Sequence, residues 1–135
     1  MRGVEIDASL KLSSAFTISD RISFLDFEDI NTGAALLYVP DIANVFRIDY
    51  VNDRHGIKGN VRIVSTGTQH ISSTSTVSGY ALVNCYISKS VSKYADLFAG
   101  VDNMFNYDAT SSVYGNNEGA GMMGTCFYGG INIKL

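Results

Sequence analysis

The sequence predicts an all-β fold, an antiparallel up-and-down meander of about seven strands, and three observations lead there. Apolar and polar residues alternate in short runs along the 135 residues, the period-two signature of strands whose two faces meet different surroundings. Val, Ile, Tyr, Phe, Ser and Thr are abundant while proline occurs once, at Pro40, a composition that favours strands. The connections between runs alternate between short and long.

Val4 to Leu12 alternates without a break, with Val4, Ile6, Ala8, Leu10 and Leu12 against Glu5, Asp7, Ser9 and Lys11. A short polar connection at Ser13 to Ala15 leads into Phe16 to Phe27, where Phe16, Ile18, Ile22 and Phe24 share a face that Asp20 interrupts. The longer connection from Glu28 to Val39 carries a turn signal at Asn31-Thr32-Gly33 and ends at Pro40, which a sheet interior would reject. Ile42 to Val51 sets Phe46, Ile48 and Tyr50 against Val45, Arg47 and Asp49, a tight turn spans Asn52 to Gly56, and Ile57 to Thr66 opposes Ile57, Val61 and Ile63 to Lys58, Arg62 and Val64.

The Ser/Thr-rich segment from Gly67 to Ser78 reads as a flexible polar loop that cannot fill a core. Gly79 to Ser88 alternates Ala81, Val83, Cys85 and Ile87 with Tyr80, Leu82, Asn84 and Tyr86, and Lys89 to Lys93 is a short polar turn. In Tyr94 to Asn106, Leu97, Ala99 and Val101 oppose Phe98, Gly100 and Asp102, and Asp102-Asn103 reads as a cap in which both side chains satisfy backbone groups. Tyr107 to Gly124 is the longest connection, and Thr125 to Leu135 closes the chain with Phe127, Ile131, Ile133 and Leu135 on one face.

In a meander every second connection lies at the same end of the sheet. One end therefore has only tight turns and the other only long loops, the asymmetry of a transmembrane β-barrel, whose strands face lipid on one side and a polar lumen on the other. On this reading Arg21, Arg47, Arg62, Asp7 and Asp49 line the lumen, and Tyr50, Tyr80, Tyr86, Phe105, Tyr107 and Phe127 lie near strand ends as an aromatic girdle.

Composition removes other classes. With 46% hydrophobic and 17% charged residues the chain is not a disordered one. No stretch approaches the ~18 consecutive apolar residues of a membrane-spanning helix. Glu5, Asp7 and Lys11 occupy the place of a secretory signal's apolar region, so the expectation is a cytoplasmic chain or a start that lies elsewhere. A net charge of −3 with Lys and Arg scattered singly gives nucleic acid no basic patch. Cys85 and Cys126 lack CxxC spacing and His55 and His70 lie in turn-like sequence, so no zinc pattern and no cofactor is expected, and the thiols read as packed side chains.

The same residues resemble a known family, the TonB-dependent outer-membrane receptors, over nearly the whole chain and specifically over the C-terminal part of their barrel. Arg2-Gly3-Val4-Glu5, Tyr38-Val39-Pro40 with Ala43-Asn44, and Gly79-Tyr80 with Val83-Asn84 are similar to its strand motifs. Leu97 to Asn106, LFAGVDNMFN, resembles its penultimate-strand motif with Met104 for the usual Leu, and Phe127 to Leu135 resembles its terminal strand, which commonly ends in an aromatic residue where this chain has Leu135.

The resemblance implies that residues 1–135 are the C-terminal third or so of a receptor whose barrel has about 22 strands, without the N-terminal plug and earlier strands. It implies that the complete protein sits in the outer membrane of a Gram-negative bacterium and imports a ligand such as a ferric siderophore, haem, cobalamin or an oligosaccharide with TonB-coupled energy. Implied partners are outer-membrane lipid, the rest of the barrel and plug, the TonB complex, and the barrel-assembly machinery through Phe127, Ile131, Ile133 and Leu135. Ligand contacts would arise in the outer loops, where Tyr114, Asn116 and Asn117 offer hydrogen bonding and stacking in the longest one. An outer-membrane enzyme would need a nucleophile with a base, and there is no GxSxG and no such setting for either histidine. A soluble or surface-attached β-rich binding module of adhesin type is the alternative, and it requires the long loops to pack back over the sheet.

Overall fold

A computed structural model describes residues 2–26, 36–72, 75–107 and 124–134. Seven strands form one antiparallel sheet: β1 (Arg2–Lys11), β2 (Phe16–Asp26), β3 (Ile42–Asn52), β4 (Ile57–Thr66), β7 (Tyr80–Ser92), β8 (Ala95–Asp102) and β9 (Cys126–Ile133). A separate two-stranded ribbon, β5 (Gln69–His70) with β6 (Thr76–Val77), lies between β4 and β7 in sequence. The sheet order is β1-β2-β3-β4-β7-β8-β9, so each of its strands pairs only with its neighbours along the chain. The predicted meander is therefore the fold, and the sheet is open at β1 and β9.

Cross-strand partners share a face, so the register decides which side chains lie together. Val4, Ile6, Leu10, Ile18, Ile22, Phe46, Ile48, Val61, Ile63, Val83, Ile87, Leu97, Val101, Ile131 and Ile133 fall on one face. Glu5, Asp7, Arg21, Arg47, Asp49, Arg62, Asn84 and Asp96 fall on the other. Among the described residues no second layer packs on either face, since strands contact only their sheet neighbours. The apolar face is consequently open: Val4, Leu10, Ile87, Leu97, Phe127, Ile131 and Ile133 are all exposed, Phe127 by 80%. A soluble module needs that face covered, and nothing described covers it.

The tight turns lie at one end. At residues 12–15 the Ser13 hydroxyl accepts from the backbone N–H groups of Ala15 and Phe16, both at 3.1 Å. At residues 53–56 the Asn52 side chain accepts from His55 N–H at 3.1 Å, and Gly56 takes φ +60°, where a side chain would also meet Ser90. The third turn corrects an expected boundary: β7 continues through Lys89 to Ser92, with a bulge at Ser90/Ser92, and the turn narrows to Lys93 and Tyr94. Its polar residues gave no apolar alternation, yet the Ser90 N–H bonds Gly56 O at 2.8 Å and carries the pairing on.

The segment expected to be a flexible polar loop also differs. Gln69 and His70 pair with Val77 and Thr76, Pro40 bridges Gln69, and Tyr38 N–H donates to His70 O at 2.7 Å. Val77, 5% exposed, is the buried apolar residue of the described chain, and it sits in this ribbon rather than in the sheet.

Asp20, which interrupts the apolar face, has a partner there. The Asn44 side-chain amide donates to the Asp20 carboxylate and, at 3.2 Å, to the Arg21 carbonyl. Asp20 lies opposite Phe46 and Asn44 opposite Ile22, so the two meet on a diagonal, and a half-buried polar pair sits within an otherwise apolar band.

Candidate functional site

The polar face carries the side chains with chemistry, and most of its charges are matched where they stand. Arg21 Nε contacts Asp7 at 2.8 Å and Glu5 at 3.3 Å, Arg47 bonds Asp49 within its own strand, and Lys134 Nζ reaches Asp96 at 2.7 Å. Glu5, Asp7 and Arg21 pair across β1 and β2, whereas Arg47 lies directly opposite Arg62 of β4. Like charges in that arrangement repel. Asp49 answers the charge of Arg47, but Arg62 has neither a carboxylate in ion-pair range nor a hydrogen-bond acceptor among the described residues.

Arg62 lies on the wall of a hollow of about 220 Å³ that Asn60, Asn84, Tyr86, Asp102 and Tyr128 also line. Its opposite neighbour on β7 is Asn84, and the register that sets Cys85 opposite Val101 brings Asp102 alongside Asn84. Asp102 is therefore two strand spacings from Arg62, roughly 10 Å, and the two do not pair. The floor is shaped by aromatic rings on glycines. Tyr128 lies across Gly100 so closely that a Cβ there would run into the ring, and Phe98 lies across Gly130 in the same way. Tyr86 stacks on Phe98 with centroids 6.1 Å apart.

The long-loop end of this face is closed by Asn103, which is 5% exposed at φ +50°. Its side-chain amide donates to Tyr107 O at 2.9 Å while its side-chain oxygen accepts from Tyr107 N–H at 2.8 Å. Its own N–H donates to the Asn84 side chain at 2.9 Å, and the Thr125 hydroxyl donates to its carbonyl at 2.9 Å. One residue thus joins β7, β8 and the approach to β9. The side chain of Asp102, expected to share the capping, makes no hydrogen bond to a described residue. Its position on the strand turns its carboxylate into the hollow instead of toward the free backbone groups.

The expected girdle is corrected in the same way. Phe16 and Tyr50 pack at 4.9 Å at the tight-turn end of the apolar face, and Phe127 projects from that face near the other end, as a girdle requires. Tyr86 is mid-strand on the polar face, and Tyr80 stacks on Tyr107 at 5.4 Å beneath the cap. Parity along the strand, not proximity to its end, sets the direction of a ring. Arg21, Arg47, Arg62, Asp7 and Asp49 share the polar face as expected. Tyr114, Asn116 and Asn117 lie outside the described residues, as does Leu135, while Phe127, Ile131 and Ile133 share one exposed face of β9.

No group of three or more metal-ligating side chains occurs among the described residues, and Cys85 and Cys126 are free thiols on opposite faces. Sequence reasoning missed the hollow because its members come from five strands. The signal was present in the register, since Arg47 and Arg62 fall opposite each other once the 53–56 turn is fixed.

No protein-family model matches the sequence, and no curated protein matches it. Solved structures do. The copper transporter OprC is similar over 94% of this chain at a TM-score of 0.78 and 18% identity. A variant of the ferric enterobactin receptor PfeA from Pseudomonas aeruginosa is similar over 96% at 0.77 and 22% identity. The ferric-catecholate import receptor Fiu from K12 E. coli is similar over 79% at 0.60 and 19% identity. All three are TonB-dependent receptors of the Gram-negative outer membrane. The fold is that of a segment of such a receptor's barrel wall. This chain spans 22%, 21% and 17% of the three, about a fifth of their length.

Proposed function

We propose that residues 1–135 form the C-terminal part of the barrel of a TonB-dependent outer-membrane receptor, a transport protein and not an enzyme. The observation that carries this reading is the division of one seven-stranded sheet into an open apolar face and a charged face, with every tight turn at one end. Strands of 8 to 13 residues match the ~9–11 that a tilted transmembrane strand needs. The apolar face meets lipid, the charged face lines the lumen, and the connections 27–41, 67–79 and 103–125 face outward. The remainder of the barrel pairs with β1 and β9, a plug fills the lumen, and TonB supplies the energy for import. The ligand contacts lie in the outward connections, with Tyr114, Asn116 and Asn117 in the longest. Phe127, Ile131, Ile133 and Leu135 form the strand signal read by the assembly machinery.

Cysteine accessibility in the receptor that carries this segment tests the reading. In a background with Cys85→Ser and Cys126→Ser, a membrane-impermeant maleimide added to intact cells labels Ser78→Cys and leaves Arg54→Cys unlabelled until the outer membrane is opened. Labelling of Arg54→Cys on intact cells, or of neither variant after opening, refutes it.

A further inference from the structure

We infer that the tight-turn end of the apolar face seats one glycerophospholipid with an anionic headgroup, its phosphate on Arg54 and Lys89 and one acyl chain in a trough above Gly59. This deepens the barrel reading and rests on it.

The trough has a volume of about 520 Å³ and is lined by Tyr50, Ile57, Gly59, Val61, Ile87 and Ala99 among others, within the ~300–1,000 Å³ of clefts that hold ligands. The register explains it. Tyr50, Gly59, Ile87 and Ala99 are direct partners in one row across β3, β4, β7 and β8, and the row drops to bare backbone at Gly59 and to a methyl at Ala99. The flanks of Tyr50, Val61 and Ile87 are left without neighbours there, and a hydrocarbon chain supplies the missing contacts.

One row nearer the tight turns, the partner of Ile57 is Lys89, a cation on the apolar face. Its stem lies along that face and its head reaches the polar zone, as in a snorkelling lysine. The Lys89 Nζ donates to His55 O at 2.6 Å, which fixes the ammonium beside the turn that carries Arg54 and leaves two N–H donors. Lys93, farther out in the next turn, lies 4.7 Å over the ring of exposed Tyr94. None of Arg54, Lys89 and Lys93 has a carboxylate in ion-pair range among the described residues. Asp53 is the acid of these turns, one carboxylate against three cations.

The charges also choose the leaflet and the occupant. The connections 27–41, 67–79 and 103–125 contain Glu28, Asp29, Asp41, Asp108 and Glu118 and no Lys or Arg. An anionic lipid is repelled at that end and drawn to the tight turns, which face the periplasm in the barrel reading. A second copy of the chain packed through this face about a two-fold axis would bring like cations to one rim, whereas a phosphate neutralises them.

Lipid competition tests it. The complete receptor that carries this segment is titrated in detergent with phosphatidylglycerol and phosphatidylethanolamine of identical chains, and retained lipid is read by native mass spectrometry. Arg54→Gln with Lys89→Gln should lower the preference for phosphatidylglycerol by about 30-fold, some fivefold for each cation, and Arg54→Lys with Lys89→Arg should keep it. In the unmodified receptor a diazirine on the acyl chain of phosphatidylglycerol should label residues 57–61 and 97–101, and Ala99→Leu, which fills the trough, should abolish that labelling. A preference unchanged in the folded Gln pair overturns the inference. So do equal labelling by a phosphatidylethanolamine probe, labelling that misses these residues, or a lipid-free dimer that shields them; the probe on the unmodified receptor decides if the Gln pair fails to fold. The maleimide pattern at Ser78 and Arg54 is read in parallel. An intact pattern without lipid preference rejects the lipid seat alone, and a failed pattern rejects the barrel reading.

Discussion

Replacing Asn103 by Ala should destabilise the long-loop end of β8 by about 3–8 kcal/mol, from three effects at one residue. Two side-chain hydrogen bonds to Tyr107 are lost, each contributing about 0.5–1.5 kcal/mol. The Tyr107 N–H is left half-buried without its acceptor, at about 1–3 kcal/mol. The backbone at φ +50° disfavours Ala by about 1–2 kcal/mol, a penalty that Asn relieves and Gly escapes. Asn103→Gly should therefore be less damaging than Asn103→Ala by that last amount, although it loses the same two bonds. The assay is urea unfolding of the receptor carrying this segment in lipid vesicles, followed by the shift of its folded band on unheated gels. Equal midpoints for the Ala and Gly variants would show that the backbone conformation contributes nothing, and a loss below about 1 kcal/mol for both would refute the cap as the joint between β7, β8 and β9.

Three further outcomes follow from the faces. Ile6→Lys, mid-strand on the apolar face, should cost about 2–4 kcal/mol in lipid vesicles, whereas Ser9→Lys on the polar face of the same strand should stay within about 0.5 kcal/mol of the parent, and equal costs would refute the face assignment. Asn44→Leu, which strips Asp20 of its side-chain partner, should lower stability by about 1–3 kcal/mol, and adding Asp20→Leu should recover most of that loss; additive losses would deny the pair. Gly100→Val must displace the Tyr128 ring, at about 1–3 kcal/mol for overpacking, and Tyr128→Ala in the same chain should relieve it, as a two-by-two cycle of unfolding midpoints would reveal.

The sheet was legible because an amphipathic strand writes its period into the sequence. The predicted Ile57 to Thr66 matches β4 at both ends, and the strand faces follow from the parity of Ile18, Phe46 or Leu97. What escaped depended on pairing. Lys89 to Ser92 shows no apolar alternation and extends β7 through its pairing with Leu97, Asp96 and Ala95 of β8 and through the Ser90 N–H on Gly56 O. β5 and β6 are too short to show any period, and the Asp20–Asn44 diagonal exists only in one register. The Asp102-Asn103 signal marked the right place, but a dipeptide cannot say which of two side chains turns toward the free backbone groups. The hollow was beyond sequence reading for the same reason, since Arg62 and Asp102 are neighbours only through β7.

Nearest-neighbour order also has a kinetic meaning. With every sheet pairing made between consecutive strands, the sheet can grow by adding one strand at a time, and loop closure sets the relative difficulty of each addition. Joining β9 to β8 closes 23 residues (103–125), while joining β4 to β3 closes 4 (53–56). The chain-entropy difference is about 1.5 kcal/mol against β9, slowing its docking by roughly tenfold if the whole difference falls on the rate. The strand that leaves the open edge is thus the slowest to arrive by this measure, and Asn103, whose carbonyl takes the Thr125 hydroxyl, is the contact that shortens the distance it must search.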